Sequence, residues 1–152
     1  MIFSAISTKL LSLDEAQSFI KTPDAGAQIF FSGTVRNTNL GKKVLSLEYS
    51  AYDEMAEKVL GQMAITAKEK FEVEKIYIVH RLGHLQLEDI SILIAVSAKH
   101  RVEAYQASRF LIEEVKHHLP VWKKEHYQGE KAEWVRCSHH HQHQGHDHDR
   151  NR

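Results

Sequence analysis

The sequence predicts a single α+β domain with about three helices and a mixed or antiparallel sheet. Three observations carry that expectation. Short β-type runs alternate with helical stripes in the order β-α-β-β-α-β-β-α-β-β. Strands dominate, and neighbouring ones can pair as hairpins instead of through the helical crossovers of a parallel sheet. The chain has 152 residues and 42% hydrophobic composition, enough for one real core.

Taken in order, residues 2–7 (IFSAIS) read as a strand. Ser12-Leu13-Asp14-Glu15 has the S-x-x-E form of a capping box, so a helix over about 13–21 follows. It ends before Thr22-Pro23, and Asp24-Ala25-Gly26 reads as a turn. Residues 27–36 are strand-like, with Ile29, Phe30, Phe31 and Val35. Gly33 inside that run predicts a bulge or the close approach of another group. Residues 37–41 are a polar connection, simplest as a hairpin link. Residues 44–51 alternate, with Leu45, Leu47, Tyr49 and Ala51 on the inner face. A helix over 53–70 is capped by Asp53, and its stripe is Met55, Val59, Leu60, Met63 and Ala67. The methionines read as core filler. Strands follow at 73–81 and 90–98. The second is almost wholly apolar, which predicts a central strand covered on both faces. LGHLQLED between them has room for a short strand of its own.

Residues 97–125 are the most informative stretch. Ala104, Ala107, Leu111 and Val115 recur at helical spacing with Phe110 beside them, and Pro120 ends the helix. His100 and Arg101 sit at its start, Lys116 at its finish, and Lys123 and Lys124 just beyond, in a strand VWKKEHY. Free N–H groups and the dipole at a helix start, joined by His100 and Arg101, make an anion site plausible. An amphipathic helix with solvated charges is the alternative, and these residues alone leave both open. Gln128-Gly129-Glu130 reads as a turn and AEWVR as a last strand, with Trp134 a core or interface anchor. Residues 138–152 (SHHHQHQGHDHDRNR) hold no apolar side chain to bury, so a disordered His-rich tail is expected after a domain over 1–137.

The totals exclude several classes. Lysine plus arginine and aspartate plus glutamate are both 20, so no global field favours nucleic acid or an anionic membrane. The N-terminus lacks the regions of a signal peptide, and no apolar run approaches the roughly 20 residues that span a bilayer, so a cytoplasmic protein is expected. The single cysteine, Cys137, forms no internal disulfide, and the edge of the tail is a poor place for a held nucleophile. There is no phosphate loop, G-x-G-x-x-G, H-E-x-x-H, C-x-x-C or G-x-S-x-G. His80 and His84 are a conceivable metal pair, but no third ligand is near in sequence, so both read as hydrogen-bonded imidazoles. Neither a metal site in the domain nor a cofactor is expected. Arginine, histidine and lysine remain, a set suited to binding an anion and moving protons. The reactive group then arrives from outside. A non-catalytic dimeric module that holds a phosphate-bearing ligand or RNA through Arg36, Arg101 and Lys123 is the alternative. A metal-handling role for the tail is a third reading.

FSGTVRNTNLG, LEYSAYDEMA, HRLGHL, SAKHRVEAYQASRFLIEEVK, PVWKKE and EWVR, in this order and spacing, resemble the large, catalytic subunit of molybdopterin synthase over residues 26–136. The resemblance implies an α/β hammerhead-type fold and a homodimer at the centre of a heterotetramer. At each end sits a small, ubiquitin-like sulfur-carrier subunit whose C-terminal Gly-Gly ends as a thiocarboxylate. It implies transfer of two sulfurs to cyclic pyranopterin monophosphate, forming the dithiolene of molybdopterin. It carries substrate binding onto Phe31, Thr34, Val35, Arg36, His100, Arg101, Lys124 and Glu125, and both binding and catalysis onto Lys116 and Lys123. Arg36, His100 and Arg101 would hold phosphate and pterin, and the lysines would act in acid–base steps or stabilise negative charge. Two positions depart from the pattern. Ile112 stands where a well-known member has methionine. Ser138 stands at the spacing of that member's C-terminal arginine, with Arg136 the nearest substitute.

Overall fold

In the computed structural model, residues 1–129 and 132–137 are described. In chain order the elements are β1 (Ile2–Ser7), α1 (Leu13–Ile20), β2 (Ala27–Thr34), β3 (Thr38–Asn39), β4 (Lys42–Ala51) and α2 (Asp53–Lys70). There follow β5 (Lys75–Arg81), β6 (Gly83–Gln86), β7 (Ile90–Ala98), α3 (Arg101–His118), β8 (Val121–Tyr127) and β9 (Trp134–Arg136). The α+β class and three helices match the expectation. The strands, however, divide into two sheets, which no local pattern announced.

The first sheet runs β1-β5-β7-β2 and is mixed: β1 lies parallel to β5, and the other neighbours are antiparallel. Period-two alternation on β7 builds two cores at once. Ile92, Ile94 and Val96 face a layer made by α2 and α3, while Leu93 and Ala95 join Ala16 and Ile20 of α1 on the other side. This is the double burial that the apolar run predicted. Ser12 is the N-cap expected, since its hydroxyl accepts the Glu15 N–H at 3.2 Å, which is the serine half of the capping box. Gly33 sits at a register shift in the β2–β7 ladder, and a Cβ there would meet Ile92 Cγ2 at 2.6 Å, so both expectations for it are met.

The second sheet is antiparallel, with β4 between β6 and β8 and with β9 extending β8. Leu40 and Gly41 both have positive φ at the tip of the β3–β4 hairpin, as a twist-matched two-residue turn requires. The connection at 37–41 is therefore a hairpin, and it also walls the cavity described below.

Four expectations fail for identifiable reasons. Leu45 is exposed instead of inward, because a register shift between Val44 and Ser46 inserts a residue and hands the inner place to Val44. Met55 is exposed as well. The buried stripe of α2 is Ala56, Leu60, Met63, Ala64 and Ala67, and its three alanines let the helix lie close to the sheet. Tyr52, not Asp53, is the N-cap of α2, and Asp53 and Glu54 complement the helix dipole from the first turn. Trp134 is 47% exposed, so the core half of its reading fails and exposure leaves the interface half open. The expectation of disorder over 138–152 lies outside the described residues, and no described helix is long and apolar enough to cross a membrane.

Candidate active site

Three pieces of chain meet at one end of α3. The helix is fixed through Ala104, Ala107, Leu111 and Val115, and that registration delivers Lys116 in its last turn. Pro120 then turns the chain into β8, where Lys123 pairs with Tyr49 of β4. Alternation puts Lys123 and Glu125 on the inner face of the second sheet and Lys124 on the outer one. The third piece leaves β2 at the Gly33 bulge. There the Val35 N–H donates to the Asp89 carbonyl at 3.1 Å, Val35 is buried, and Arg36 reaches the rim.

The result is a cavity with two adjoining lobes. One, of about 200 Å³, is lined by Arg36, Asn39, Tyr49, Lys116, Lys123 and Cys137 among others. The other, of about 140 Å³, shares Arg36 and both lysines and adds Thr34, Val35 and Glu125.

The two lysines stand in different environments. Lys123 Nζ lies 2.9 Å from Glu125 Oε1. Glu125 also accepts from Asn39 Nδ2 at 3.0 and 2.8 Å and from the Tyr127 hydroxyl, so one carboxylate fixes the lysine and ties the β3–β4 hairpin to β8. No described carboxylate pairs with Lys116. Burial pulls its ammonium below the ordinary lysine range; Cys137 opposes this, and the cations of Lys123 and Arg36 add to it. Burial likewise lifts the Tyr49 phenol to about 12. The Cys137 thiol is also pushed up by burial, against the pull of Lys123 and Lys116. Behind Tyr49, His80 packs edge-on against its ring at 5.1 Å and donates from Nδ1 to the Arg81 carbonyl at 2.9 Å. Burial drops its pKa to about 4. His80 is thus the hydrogen-bonded imidazole expected, neutral at physiological pH.

Chemically, Arg36, Lys116 and Lys123 outnumber Glu125, the one carboxylate among the described lining residues, so the cavity suits an anion. A lysine whose pKa is depressed by burial also gives up its proton more readily than an exposed one.

Thr34, Val35, Arg36, Lys116, Lys123 and Glu125 are brought together as expected. Four other residues are not. Phe31 packs against the main core. Lys124 lies on the outer face, its Nζ 5.7 Å from the Trp134 ring centre. His100 and Arg101 are at the far end of α3; Arg101 is about 22 Å from Lys116 at ~1.5 Å rise per residue. His100 lines a separate cleft with Glu72, Glu74, Lys99 and Glu103, where three carboxylates face one lysine. Arg136 lies over Trp122 at 5.8 Å on the outer face, while its neighbour Cys137 lines the cavity, contrary to the expectation that it is poorly held. Sequence reasoning missed Asn39, Tyr49 and Cys137 as cavity residues. Asn39 enters through its bonds to Glu125, Tyr49 through its pairing with Lys123, and Cys137 by following the last strand.

A family model described as MoaE protein matches residues 6–118. The molybdopterin synthase catalytic subunit of Nostoc sp. is 42% identical over 132 residues, covering 86% of this chain and 80% of that one. The Bos taurus protein of the same name is 38% identical over 130 residues, covering 86% and 69%. Among solved structures, molybdopterin synthase from Staphylococcus aureus superposes with a TM-score of 0.82 at 38% identity, covering 87% of this chain and 96% of that one.

Proposed function

The chain belongs to the MoaE protein family, the catalytic subunits of molybdopterin synthase, and on that premise we propose that the cavity between α3, β8 and the β2 bulge is its sulfur-transfer site. The protein is an enzyme of molybdenum cofactor biosynthesis that transfers sulfur. The observation that carries the site assignment is the convergence of Lys116, Lys123 and Arg36 from three separate elements on one cavity. The substrate is cyclic pyranopterin monophosphate, whose phosphate Arg36 meets through its planar fork. The sulfur donor is the Gly-Gly thiocarboxylate of a small ubiquitin-like carrier, which explains why the cavity needs no sulfur nucleophile of its own. Lys123, fixed by Glu125, stabilises negative charge as sulfur leaves the carrier. Lys116, half-buried and without a carboxylate partner among the described residues, is the proton acceptor and donor.

A homodimer reconciles the two ends of α3. His100 and Arg101 are too far from Lys116 to serve the same substrate molecule within one chain, so a second copy would have to bring its own helix start to the cavity. Val102 and Tyr105, 55% and 60% exposed beside Arg101, supply apolar surface for such an interface. Mixing the protein with thiocarboxylated carrier and cyclic pyranopterin monophosphate tests the reading. Dithiolene product supports it; pterin binding without sulfur transfer would leave only a binding module.

A further inference from the structure

Sequence spacing offered His84 only His80 as a metal partner, and the fold gives it different ones. His84 on β6 pairs directly with Glu48 on β4. On the other side of β4, His126 of β8 pairs with Ser46, one step diagonal from Glu48 on the same face. His126 Nε2 lies 3.1 Å from Glu48 Oε1, and His84 Nδ1 lies 3.9 Å from the same oxygen. The three potential ligand atoms all fall within 4.8 Å of one another. We propose that Glu48, His84 and His126 form a binding site for a divalent transition-metal ion of the zinc type, on the face of the second sheet turned away from the sulfur-transfer cavity.

The donor set fits that ion. Two imidazoles and a carboxylate are a common trio for zinc, at about 2.0–2.2 Å each. Ligands at those lengths in a tetrahedron stand about 3.3 Å apart, so the His126–Glu48 spacing already matches and the His84 ring needs only a small inward swing. That ring is free to make it, because the His84 side chain is 55% exposed. The backbones need not move, since two antiparallel ladders hold all three strands in register. Solvent reaches the trio, which leaves the remaining coordination positions to water. Lys124, the cation on the same face opposite Glu48, leans over Trp134.

Alternation separates this site from the chemistry. Glu48 and His126 point outward from β4 and β8, whereas Tyr49 and Lys123 point inward from the same strands. The ion would clip β6, β4 and β8 together and steady the strand that carries Lys123, without touching substrate.

The test uses the full-length chain, whose His-rich tail also attracts metal, so the readout must name the histidines. Zn²⁺ is titrated into ¹⁵N-histidine-labelled protein, and the ring resonances of His84 and His126 are assigned with His84→Ala and His126→Ala. Both rings should shift together in one saturating step, with Glu48→Gln weakening that step about tenfold or more. Sulfur transfer and far-UV circular dichroism should be unchanged in the three variants. Anomalous scattering from zinc-soaked crystals should place an ion among the three side chains. Shifts confined to the tail histidines, unaltered zinc binding by Glu48→Gln, or no anomalous peak among the three would each overturn the proposal.

Discussion

Lowering the pH from 7 to 5 should destabilise this protein measurably through one residue, His80. Its ring is buried beside Tyr49 and Lys116, and its folded pKa is about 4 against an ordinary 6.5. The folded value is the depressed one, so the unfolded chain binds the proton first. Stability is therefore lost as pH falls below about 6.5 and stops changing through this group below about 4. At pH 5 nearly all unfolded chains carry the proton and few folded ones do. The linkage then amounts to about 2 kcal/mol relative to pH 7, a large fraction of a marginal stability. Urea denaturation at pH 7, 6 and 5 measures the loss, and His80→Gln removes the titrating group while keeping a polar side chain. The variant starts less stable, but its curve should be flatter by that 2 kcal/mol over the interval. Parallel curves for wild type and variant would refute a neutral, buried His80.

Other consequences follow from packing, chemistry and assembly. Gly33→Ala places a Cβ 2.6 Å from Ile92 Cγ2, a core atom with little room to give, so calorimetry should record about 1–3 kcal/mol of destabilisation. An unchanged melting temperature would mean that the bulge is not tight. Cys137→Ser should retain most sulfur transfer, because the proposed chemistry rests on the lysines, while alkylating the wild-type thiol should block the cavity it lines. The partly buried, proton-retaining thiol should also alkylate slowly. Inhibition of Cys137→Ser by the same reagent would place the effect elsewhere. Sedimentation at micromolar concentration, without carrier, should find a dimer, and a pure monomer would contradict the proposed route by which His100 and Arg101 reach the substrate.

Much of the fold was legible because local chemistry and burial agree. The β7 run, the α3 stripe, the Ser12 cap and the Gly33 bulge each announce themselves through periodicity or a special residue. What the residues hid was non-local. Leu45 faces out because of a bulge set by the β8 partner, and Met55 because alanines let α2 approach the sheet. The site divided the same way. Lys116 and Lys123 stand out around Pro120, yet Asn39 enters only through Glu125, and Tyr49 only through its pairing with Lys123. The Glu48, His84 and His126 trio draws on three strands, so no spacing within the sequence could have revealed it.

Lys116 and Lys123 are proposed to perform the sulfur transfer together. Single-turnover formation of the dithiolene, with thiocarboxylated carrier and cyclic pyranopterin monophosphate, tests it most directly in Lys116→Ala and Lys123→Ala. Loss of a general acid or base, or of a charge-stabilising group, should lower the rate on the order of 10²–10⁴-fold while melting curves match wild type. Near-normal product formation by both folded variants would contradict the account.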